Sequence, residues 1–328
     1  MDTLILKGEK AYSYGAELIN KGEIVAFPTE TVYGLGADCF NTSAVLKIFE
    51  AKGRPQDNPL IVHISKKEQI FDLVKPFSET VDKLINRFMP GPITIIFKKS
   101  DKVPNMVTAN LDTVGIRMPK SAEARAFIDA CKTPIAAPSA NRSTHISTTT
   151  YKHVYEEMQG LIPLIIQGED CEVGIESTIL DMTSEIPTIL RPGAITATML
   201  LEVLKEVKTF EGVVKVALAP GMKYKHYAPQ AEMLVVTNCD IANEIYKQKL
   251  AEGATPVILC FESNMDKYNN KQIISLGKDT KEACKNIYSA MFEADKIGNY
   301  ILCEDLSKDE LGKSIMNRVL KASGGKIK

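Results

Sequence analysis

A short basic segment with two prolines and a glycine divides the chain and limits the folds open to it. Residues 213–231 contain three lysines and no Asp or Glu, and run through Ala219-Pro220-Gly221 to Ala228-Pro229. Proline and glycine at this density interrupt helices and strands, as in linkers between domains. At 328 residues the chain is long enough for two hydrophobic cores. The sequence therefore predicts a first domain at 1–212, a linker at 213–231 and a second domain at 232–328.

The charge balance argues against a protein that coats nucleic acid. The net charge is −1, and residues 1–212 carry 23 Lys and Arg against 27 Asp and Glu, a balance of −4. Residues 232–328 carry 14 of each sign. Tight binding of nucleic-acid phosphates needs a broad basic surface, which neither domain provides. The excess of positive charge is therefore concentrated in the linker.

Several sequence patterns that the chain lacks indicate where in the cell the protein is located and whether its side chains bind a metal ion. No apolar run approaches the roughly 20 residues of a membrane-spanning helix, and the first seven residues resemble a strand rather than a secretory signal. We therefore expect a cytoplasmic protein that does not enter membranes. Neighbouring cysteines are at least 19 positions apart and the four histidines show no His-x-x-x-His spacing. Buried cysteines in a reducing compartment and no protein metal site are expected.

Helix and strand signals alternate through the first domain. Helices are predicted where a capping residue opens a periodic segment, and strands where short β-branched runs are bounded by turn residues. The predicted helices are 41–51, 67–74, 79–88, 122–131 and 197–207. The predicted strands are 1–7, 23–27, 60–64, 92–97, 134–137, 161–166, 176–181 and 187–190. Several strands follow one another without room for a crossover helix, which predicts an α/β domain with a mixed parallel and antiparallel sheet.

The alternation begins again after the linker. Strands are predicted at 233–236, 256–261, 273–276 and 300–304, and helices at 241–251, 281–297 and 310–322. Helices separate most of these strands, as they do in parallel sheets. The pattern predicts a smaller, Rossmann-like α/β domain at the C-terminal end.

The chain has no standard nucleotide-binding loop. Leu311-Gly312-Lys313-Ser314 resembles the end of a P-loop, but Ser307 stands where that motif requires its first glycine. Gly34-Leu35-Gly36 is too short for a dinucleotide fingerprint and favours a tight turn. A nucleotide would therefore have to be bound by side chains.

Three loops of the first domain concentrate polar side chains. They are residues 28–36, 52–59 and 136–147, and each follows a predicted strand or helix. Loops at strand ends are where α/β proteins bind ligands, although the same residue types also serve ordinary turns and helix caps. Because three such loops fall in one domain, we interpret them as a binding site.

These loops also carry a family resemblance. The matching segments are 28–36, 52–60, 90–94, 115–119, 137–141, 176–179 and 191–193. In this order they resemble the YrdC/YwlC family, which makes threonylcarbamoyl-AMP, and the linker with the domain after it resembles the family's longer, two-domain form. The resemblance implies a YrdC-like twisted mixed sheet in residues 1–212. One position departs from the pattern, because Thr144 stands where the family usually has glycine.

The resemblance assigns ligand-binding roles. The residues implied to be catalytic, through the family's Lys-x-Arg and Ser-x-Asn signature, are Lys52, Arg54, Ser139 and Asn141. The residues implied to bind ATP are Arg54, Asn58, Thr113, Ser139, Ser147, Arg191, Tyr224 and His226. The residues implied to bind threonine are Thr31, His63, Arg117, Ala137 and Ser177. The chemistry agrees, because phosphates need converging cations and hydroxyl donors, and an α-carboxylate fits the fork of an arginine.

Two of these residues also have a purely structural explanation. Arg117 could form a surface ion pair, and His63, inside the apolar run 60–64, could be a hydrogen-bonded core histidine. Both alternatives are open on the sequence alone.

The resemblance implies an enzyme that joins three substrates, which are L-threonine, ATP and either bicarbonate or CO2. The product is L-threonylcarbamoyladenylate, and pyrophosphate is released. This would be a nucleotidyltransferase reaction that serves threonylcarbamoyladenosine formation in tRNA. Mg²⁺ would accompany ATP, held largely by phosphates and water, and the linker would close over the triphosphate. We expect hand-off of the product to the tRNA threonylcarbamoyl transferase, with at most weak contact to tRNA itself. One alternative is an RNA-binding module without catalysis. Another is a carbamoyltransferase of hydrogenase maturation, which is disfavoured because those proteins carry zinc-binding cysteine pairs.

Overall fold

The computed structural model describes residues 2–210, 212, 217–220, 222, 226–268 and 271–328. Contacts within the chain divide it into two units. The first comprises 1–143, 148–172 and 176–224, and the second comprises 144–147, 173–175 and 225–328. Two short segments from the first part of the sequence therefore cluster with the second unit. The boundaries proposed at 212 and 232 stay predictions.

The first unit is built on one large sheet. Its strands are β1 (Leu4–Lys7), β2 (Val25–Phe27), β3 (Gly34–Asp38), β4 (Ile61–His63), β5 (Ile93–Lys98), β6 (Thr113–Arg117), β7 (Ile135–Ala137), β8 (Leu164–Gln167), β9 (Thr178–Asp181), β10 (Thr188–Arg191) and β11 (Lys208–Thr209). Within the described residues the strand order is β1-β8-β2-β3-β7-β4-β6-β5-β9-β10-β11. Neighbours β4 and β6 are parallel, whereas β5 and β6 are antiparallel. The predicted mixed sheet is confirmed.

Helices pack on both faces of this sheet. They are α1 (Glu9–Asn20), α2 (Thr42–Lys52), α3 (Ile70–Leu73), α4 (Glu79–Phe88), α5 (Asn105–Thr108), α6 (Ala122–Cys131), α7 (Tyr151–Met158) and α8 (Ala197–Leu200), with a 3-10 turn at Lys67–Gln69. Val25 and Phe27 pack in a core with residues of α1 and α6, while Ala26 between them packs in the core that includes α2 and α4. Successive strand residues point to opposite faces. Since both faces are buried, the strands are mostly apolar and the polar side chains of the site gather at strand ends.

Local signals explain the boundaries that were predicted correctly. Helix α6 spans the predicted residues because Ser121 caps it, accepting a hydrogen bond from the amide of Ala124 at 3.2 Å. Helix α2 ends at Gly53, whose φ of 60° places it in the left-handed region that glycine adopts at low cost. The start of α6 and the end of α2 are therefore determined by N-cap and C-cap residues next to them in the sequence.

The prediction was wrong at two places. The helix predicted at 197–207 ends at Leu200, because the chain leaves it to pair Lys208 and Thr209 with β10. The predicted turn at 34–36 is instead part of the buried strand β3. A Cβ atom on Gly36 would lie 2.6 Å from Ile135 Cγ2, so the glycine serves close strand packing rather than a turn. The elements α1, α5, α7, β6 and β11 were absent from the prediction.

The second unit has a smaller sheet. Its strands are β12 (Glu232–Val236), β13 (Pro256–Cys260), β14 (Ile273–Ser275) and β15 (Tyr300–Glu304). Its helices are α9 (Cys239–Ala251), α10 (Thr280–Ile297) and α11 (Glu310–Ala322), with a 3-10 helix at Glu262–Tyr268. Among the described residues the order is β12-β15-β13-β14 and the three strand pairings are parallel, which confirms the predicted Rossmann-like sheet. Gly312, from the P-loop-like sequence, donates its amide to the Asp309 side chain at 2.7 Å and so belongs to the cap of α11.

Two expectations about composition can be compared with the fold. Among the described helices, none combines the length and the apolar character needed to cross a bilayer. All seven cysteines are free thiols, and six of them are buried. They behave as small apolar side chains.

Candidate functional site

Two parallel strands end side by side at the centre of the site. In the pairing of β4 with β6, His63 is the register partner of Arg117. Both residues therefore lie at the carboxyl edge of the sheet, where α/β proteins bind ligands. Each is only 4% exposed. The surface ion pair considered for Arg117 is excluded by this burial.

Arg117 is paired with a buried carboxylate, Glu30. Arg117 Nη2 lies 2.8 Å from Glu30 Oε1. Burial opposes ionisation of Glu30, but attraction to Arg117 prevails and holds the pKa of this carboxyl below its usual value. Nε of Arg117 is also buried, and among the described residues it has no hydrogen-bond partner. Buried polar atoms are nearly always hydrogen-bonded, so this donor is available to a polar ligand.

His63 is a neutral histidine. Its Nδ1 lies 3.2 Å from the carbonyl oxygen of Ile61, and its ring meets Phe27 edge-on with the centroids 5.9 Å apart. Burial, and then the charge of Arg117, lower the pKa of His63 to about 3. The residue is thus a backbone-bonded core histidine that borders Arg117, and its predicted role in binding threonine stays a prediction.

The other residues that were predicted to bind threonine lie on strands that neighbour β4 and β6, or in the loops beside those strands. Thr31 is buried in the loop that follows β2, and Ala137 is the register partner of Ile61 on β4. Ser177 Oγ shares a 2.8 Å hydrogen bond with Thr94 Oγ1 of β5, the strand that pairs with β6. The structure therefore places this predicted set along the central strands of one sheet.

The C-terminus of α2 carries the second group. Lys52 is its last residue and is buried, and Nζ donates hydrogen bonds to the carbonyl oxygens of Ser139, at 2.6 Å, and of Asn141. The amide of Ser143 donates to the carbonyl oxygen of Lys52 at 2.7 Å. Burial, and then the charge of Arg54, lower the pKa of Lys52 well below its usual range. Lys52 therefore holds the 139–143 loop in place rather than extending as a mobile charge.

Arg54 folds back over its own loop. Its Nη2 donates to the carbonyl oxygens of Asn58 at 3.4 Å and Pro59 at 3.2 Å. Asn58 is only 1% exposed, and among the described residues its Oδ1 meets no hydrogen-bond donor. Pro59 lines a small cavity with Thr113, at the start of β6, and with Pro220. The loop thus joins the end of α2 to the surroundings of Thr113.

Arg191 contacts one of the residues predicted for threonine. Its Nε and Nη2 donate to the carbonyl oxygen of Ser177 at 3.2 and 3.0 Å, and Nη2 lies 3.3 Å from Ser177 Oγ. Gly193 allows this approach, because a Cβ atom there would lie 2.5 Å from the backbone nitrogen of Thr178. A residue assigned to ATP and one assigned to threonine are therefore adjacent.

The remaining predicted residues cannot be assigned from this geometry. Ser147 and His226 belong to the second unit, where Ser147 is buried and the His226 ring lies 5.5 Å from that of Tyr227. Tyr224 lies outside the described residues. Their assignment to ATP rests on the resemblance alone.

Thr144 explains why the family favours glycine at its position. Its φ of 74° lies in the left-handed region that glycine adopts freely and a β-branched residue rarely does. Its carbonyl oxygen accepts a hydrogen bond from the amide of Ala228 at 2.9 Å. The chain has kept the backbone conformation while carrying an unfavourable side chain for it.

An open cleft of about 310 Å³ reaches the buried ion pair. Its walls include Thr29, Glu30, Lys120, Glu123, Glu169 and Asp170. Glu30 and Thr94 were not among the residues predicted for the site. Both lie in segments that carry the family resemblance, but their partners are more than 80 positions away.

The fold and the site define an α/β protein with buried polar side chains at the carboxyl edge of its central sheet, beside a loop held by a buried lysine. Comparison with known families agrees. A family model named for Sua5, YciO and YrdC and described as telomere recombination matches residues 17–193. A second model, described as the C-terminal domain of threonylcarbamoyl-AMP synthase, matches residues 195–324.

Individual relatives match along nearly the whole chain. The threonylcarbamoyl-AMP synthase of Pyrococcus abyssi is 41% identical over 325 residues, covering 95% of this chain and 94% of the relative. That of Bacillus subtilis is 40% identical over 321 residues, covering 95% and 92%. A crystal structure of Pyrococcus abyssi Sua5 complexed with L-threonine has a TM-score of 0.94 at 39% identity and covers 99% of both chains. The chain belongs to the Sua5/YciO/YrdC family in its two-domain form, and the resemblance seen in the sequence is confirmed.

Proposed function

We propose that this protein is an L-threonylcarbamoyladenylate synthase that serves threonylcarbamoyladenosine formation in tRNA. The observation that carries the proposal is the buried Arg117–Glu30 pair beside neutral His63 at the carboxyl edge of β4 and β6, where Arg117 Nε is a buried donor with no partner among the described residues. Such a site suits a small zwitterion. Relatives that share about 40% of the sequence bear the name of this activity, and a similar structure holds L-threonine.

Threonine is assigned to the central strands. Arg117 would bind the α-carboxylate through its buried Nε, which has no partner among the described residues. His63 can exchange a hydrogen bond with the substrate without adding charge. Thr31, Ala137 and Ser177 complete the pocket by their position on the same strands and loops.

ATP is assigned to the loops around the end of α2. Arg54, Ser139 and Asn141 would meet the phosphates, with Lys52 holding the loop that bears the last two. The other proposed contacts are Asn58, Thr113, Ser147, Arg191, Tyr224 and His226. Mg²⁺ would arrive with ATP, coordinated largely by phosphate oxygens and water, where it offsets phosphate charge. The donor set around Lys52 fits that arrangement, since it offers cations, hydroxyls and amides to the phosphates rather than carboxylates to a metal.

The reaction needs positioning and charge stabilisation more than a protein nucleophile. The threonine amine adds to CO2 and loses a proton to give a carbamate, and a carbamate oxygen then attacks the α-phosphorus of ATP while pyrophosphate leaves. Orientation of the two reactants and compensation of phosphate charge are contributions this site can make. Carbamates and acyl adenylates decompose in water, so burial of the reacting groups protects them. A protein with this chemistry would be a nucleotidyltransferase, and it would hand its unstable product to the tRNA-modifying transferase.

A product assay tests the proposed function. The full chain is incubated with labelled threonine and Mg·ATP, with and without bicarbonate, and both the threonine–AMP adduct and pyrophosphate are measured. We expect both products only when bicarbonate is present. RNA binding with no adduct would favour the non-catalytic module. In a second reaction with carbamoyl phosphate in place of threonine and bicarbonate, formation of carbamoyl-AMP together with no threonine adduct in the first would favour a carbamoyltransferase. Either result would overturn the synthase assignment.

A further inference from the structure

We propose that Thr94 is a positioning residue that turns the hydroxyl group of Ser177 toward an oxygen atom of the substrate. The inference rests on the proposed function and adds to it a residue that does not itself touch the substrate. Thr94 lies on β5 and is fully buried, and its Oγ1 is 2.8 Å from Ser177 Oγ. Ser177 is only 1% exposed. Two buried hydroxyl groups therefore share one hydrogen bond.

The shared hydrogen bond leaves one hydroxyl proton without a partner. Each hydroxyl group carries one proton, and only one of the two protons lies between the oxygens. Arg191 Nη2 also approaches Ser177 Oγ, at 3.3 Å, but as a donor. Among the described residues, neither hydroxyl oxygen has a further hydrogen-bond partner. A buried donor without an acceptor is costly, so the second proton is available to a ligand.

The position of Thr94 in the sheet decides which residue keeps the second proton. Strand β5 is paired on both sides, with β6 and with β9. The Thr94 methyl group packs over Gly115 of β6, where a Cβ atom would lie 3.1 Å from it. The Thr94 side chain is thus enclosed by neighbouring strands, whereas Ser177 lies in the loop just before β9. Thr94 therefore donates to Ser177, and Ser177 keeps its own proton for the ligand.

Arg191 completes the arrangement around Ser177. With Thr94 and Arg191 both donating, the two lone pairs of Ser177 Oγ are occupied, and its O–H bond points away from both donors. Arg191 Nε and Nη2 also bind the Ser177 carbonyl oxygen, at 3.2 and 3.0 Å, so the backbone and the side chain are fixed together. An oxygen in this state cannot accept a proton from an ammonium group, but its O–H can donate to a carboxylate or carbamate oxygen. The ligand atom beside Ser177 is therefore an oxygen.

The strand register places Thr94 beside the proposed threonine pocket. Ile95 of β5 is the register partner of Ile116 of β6. Because these strands are antiparallel, Thr94 is one step further toward the end of β6 that carries Arg117. Loss of the Thr94 hydroxyl group should therefore affect the binding of threonine more than that of ATP.

The test is steady-state kinetics of adduct formation by the full chain, with threonine and ATP varied separately. Thr94→Val keeps the shape of the side chain and removes its hydroxyl group. We expect it to raise the KM for threonine about 5- to 20-fold and to leave the KM for ATP within about threefold. Thr94→Ser restores the hydroxyl group and should return the KM for threonine to within about threefold of wild type. Thr3→Val is the matched control, because it removes a hydroxyl group that bonds the backbone of Gly160 and Ile162 beside the edge strand β1, and it should change neither KM.

A double variant separates positioning from a purely structural role. If Thr94 acts through Ser177, Thr94→Val should change the KM for threonine by less than about threefold once Ser177 is replaced by alanine. Effects that multiply in the double variant, an unchanged KM in Thr94→Val, or no recovery in Thr94→Ser would each overturn the inference. If Thr94→Val does not fold, Thr94→Ala in the wild-type and Ser177→Ala backgrounds gives the same comparison. A wild-type protein that forms no adduct would instead contradict the proposed function.

Discussion

The ammonium group of Lys52 donates a 2.6 Å hydrogen bond to the carbonyl oxygen of Ser139, although the two residues are 87 positions apart in the chain. A second bond goes to the carbonyl oxygen of Asn141. The lysine of the Lys-x-Arg motif thus supports the backbone of the Ser-x-Asn motif. The lysine and the loop form one structural unit, so changes to the lysine should affect both stability and nucleotide binding.

Replacing Lys52 by methionine tests this role. The methionine fills a similar volume but leaves two buried carbonyl oxygens without their donor, at a cost of about 1–3 kcal/mol for each buried group. We expect the free energy of unfolding to fall by about 2–4 kcal/mol in chemical denaturation. The control is Lys47→Met in the same helix, where a half-exposed pair with Glu23 is lost, and a loss below about 1 kcal/mol is expected there. Equal stabilities of the two variants would contradict the supporting role.

Replacing Arg54 by alanine tests the nucleotide assignment. Loss of a charge-assisted contact to phosphate should cost about 2–3 kcal/mol, or roughly 30- to 150-fold in the rate of pyrophosphate release at low ATP. The matched control is Arg87→Ala, which removes an exposed arginine paired with Glu202 at 2.7 Å. Wild-type turnover by a folded Arg54 variant would rule out this role.

His63 should make stability depend on pH. The folded protein holds the pKa of His63 at about 3, whereas an unfolded histidine titrates near 6.5. Between these values the unfolded chain binds a proton that the folded protein excludes, so the contribution is complete above about pH 6.5 and is lost as the pH falls toward 3. At pH 5 the loss is about 2 kcal/mol.

Urea unfolding at pH 7.5 and pH 5 measures this effect. Replacement of His63 by glutamine keeps a polar side chain and removes the titrating group. We expect the difference in unfolding free energy between the two pH values to shrink by about 2 kcal/mol in the variant. An unchanged difference would show that His63 does not control the acid sensitivity.

Thr144→Gly should stabilise the protein. A left-handed backbone costs an L-residue about 1–2 kcal/mol, and part of the relief is offset by the greater freedom of glycine in the unfolded chain. We expect a net gain of about 1 kcal/mol, measured by thermal or urea unfolding. Thr144→Ala, which keeps the Cβ atom, should gain less. A loss of stability in the glycine variant would mean that the threonine side chain makes a contact worth more than the backbone relief.

Much of the fold could be predicted because its signals are local. Ser121 and Gly53 begin and end helices by interactions within a few residues, and the predicted bounds of α6 and α11 were met. The family could be identified for a related reason, since its motifs are short runs that keep their order along the chain. Where distant packing competes with a local signal, the prediction fails, as it does at Gly36, whose glycine fits β3 beside Ile135.

The sequence by itself determined the alternation of helices and strands, the mixed character of the first sheet and the family. Only the tertiary structure decided that Glu30 faces Arg117 and that Lys52 supports the loop of Ser139. These contacts depend on strand order, which sets β4 beside both β6 and β7, and no local pattern of side chains encodes that order. Strands that are far apart in sequence pair in the order that best buries the apolar side chains of the whole sheet. That strand order then determines which polar side chains meet in the site.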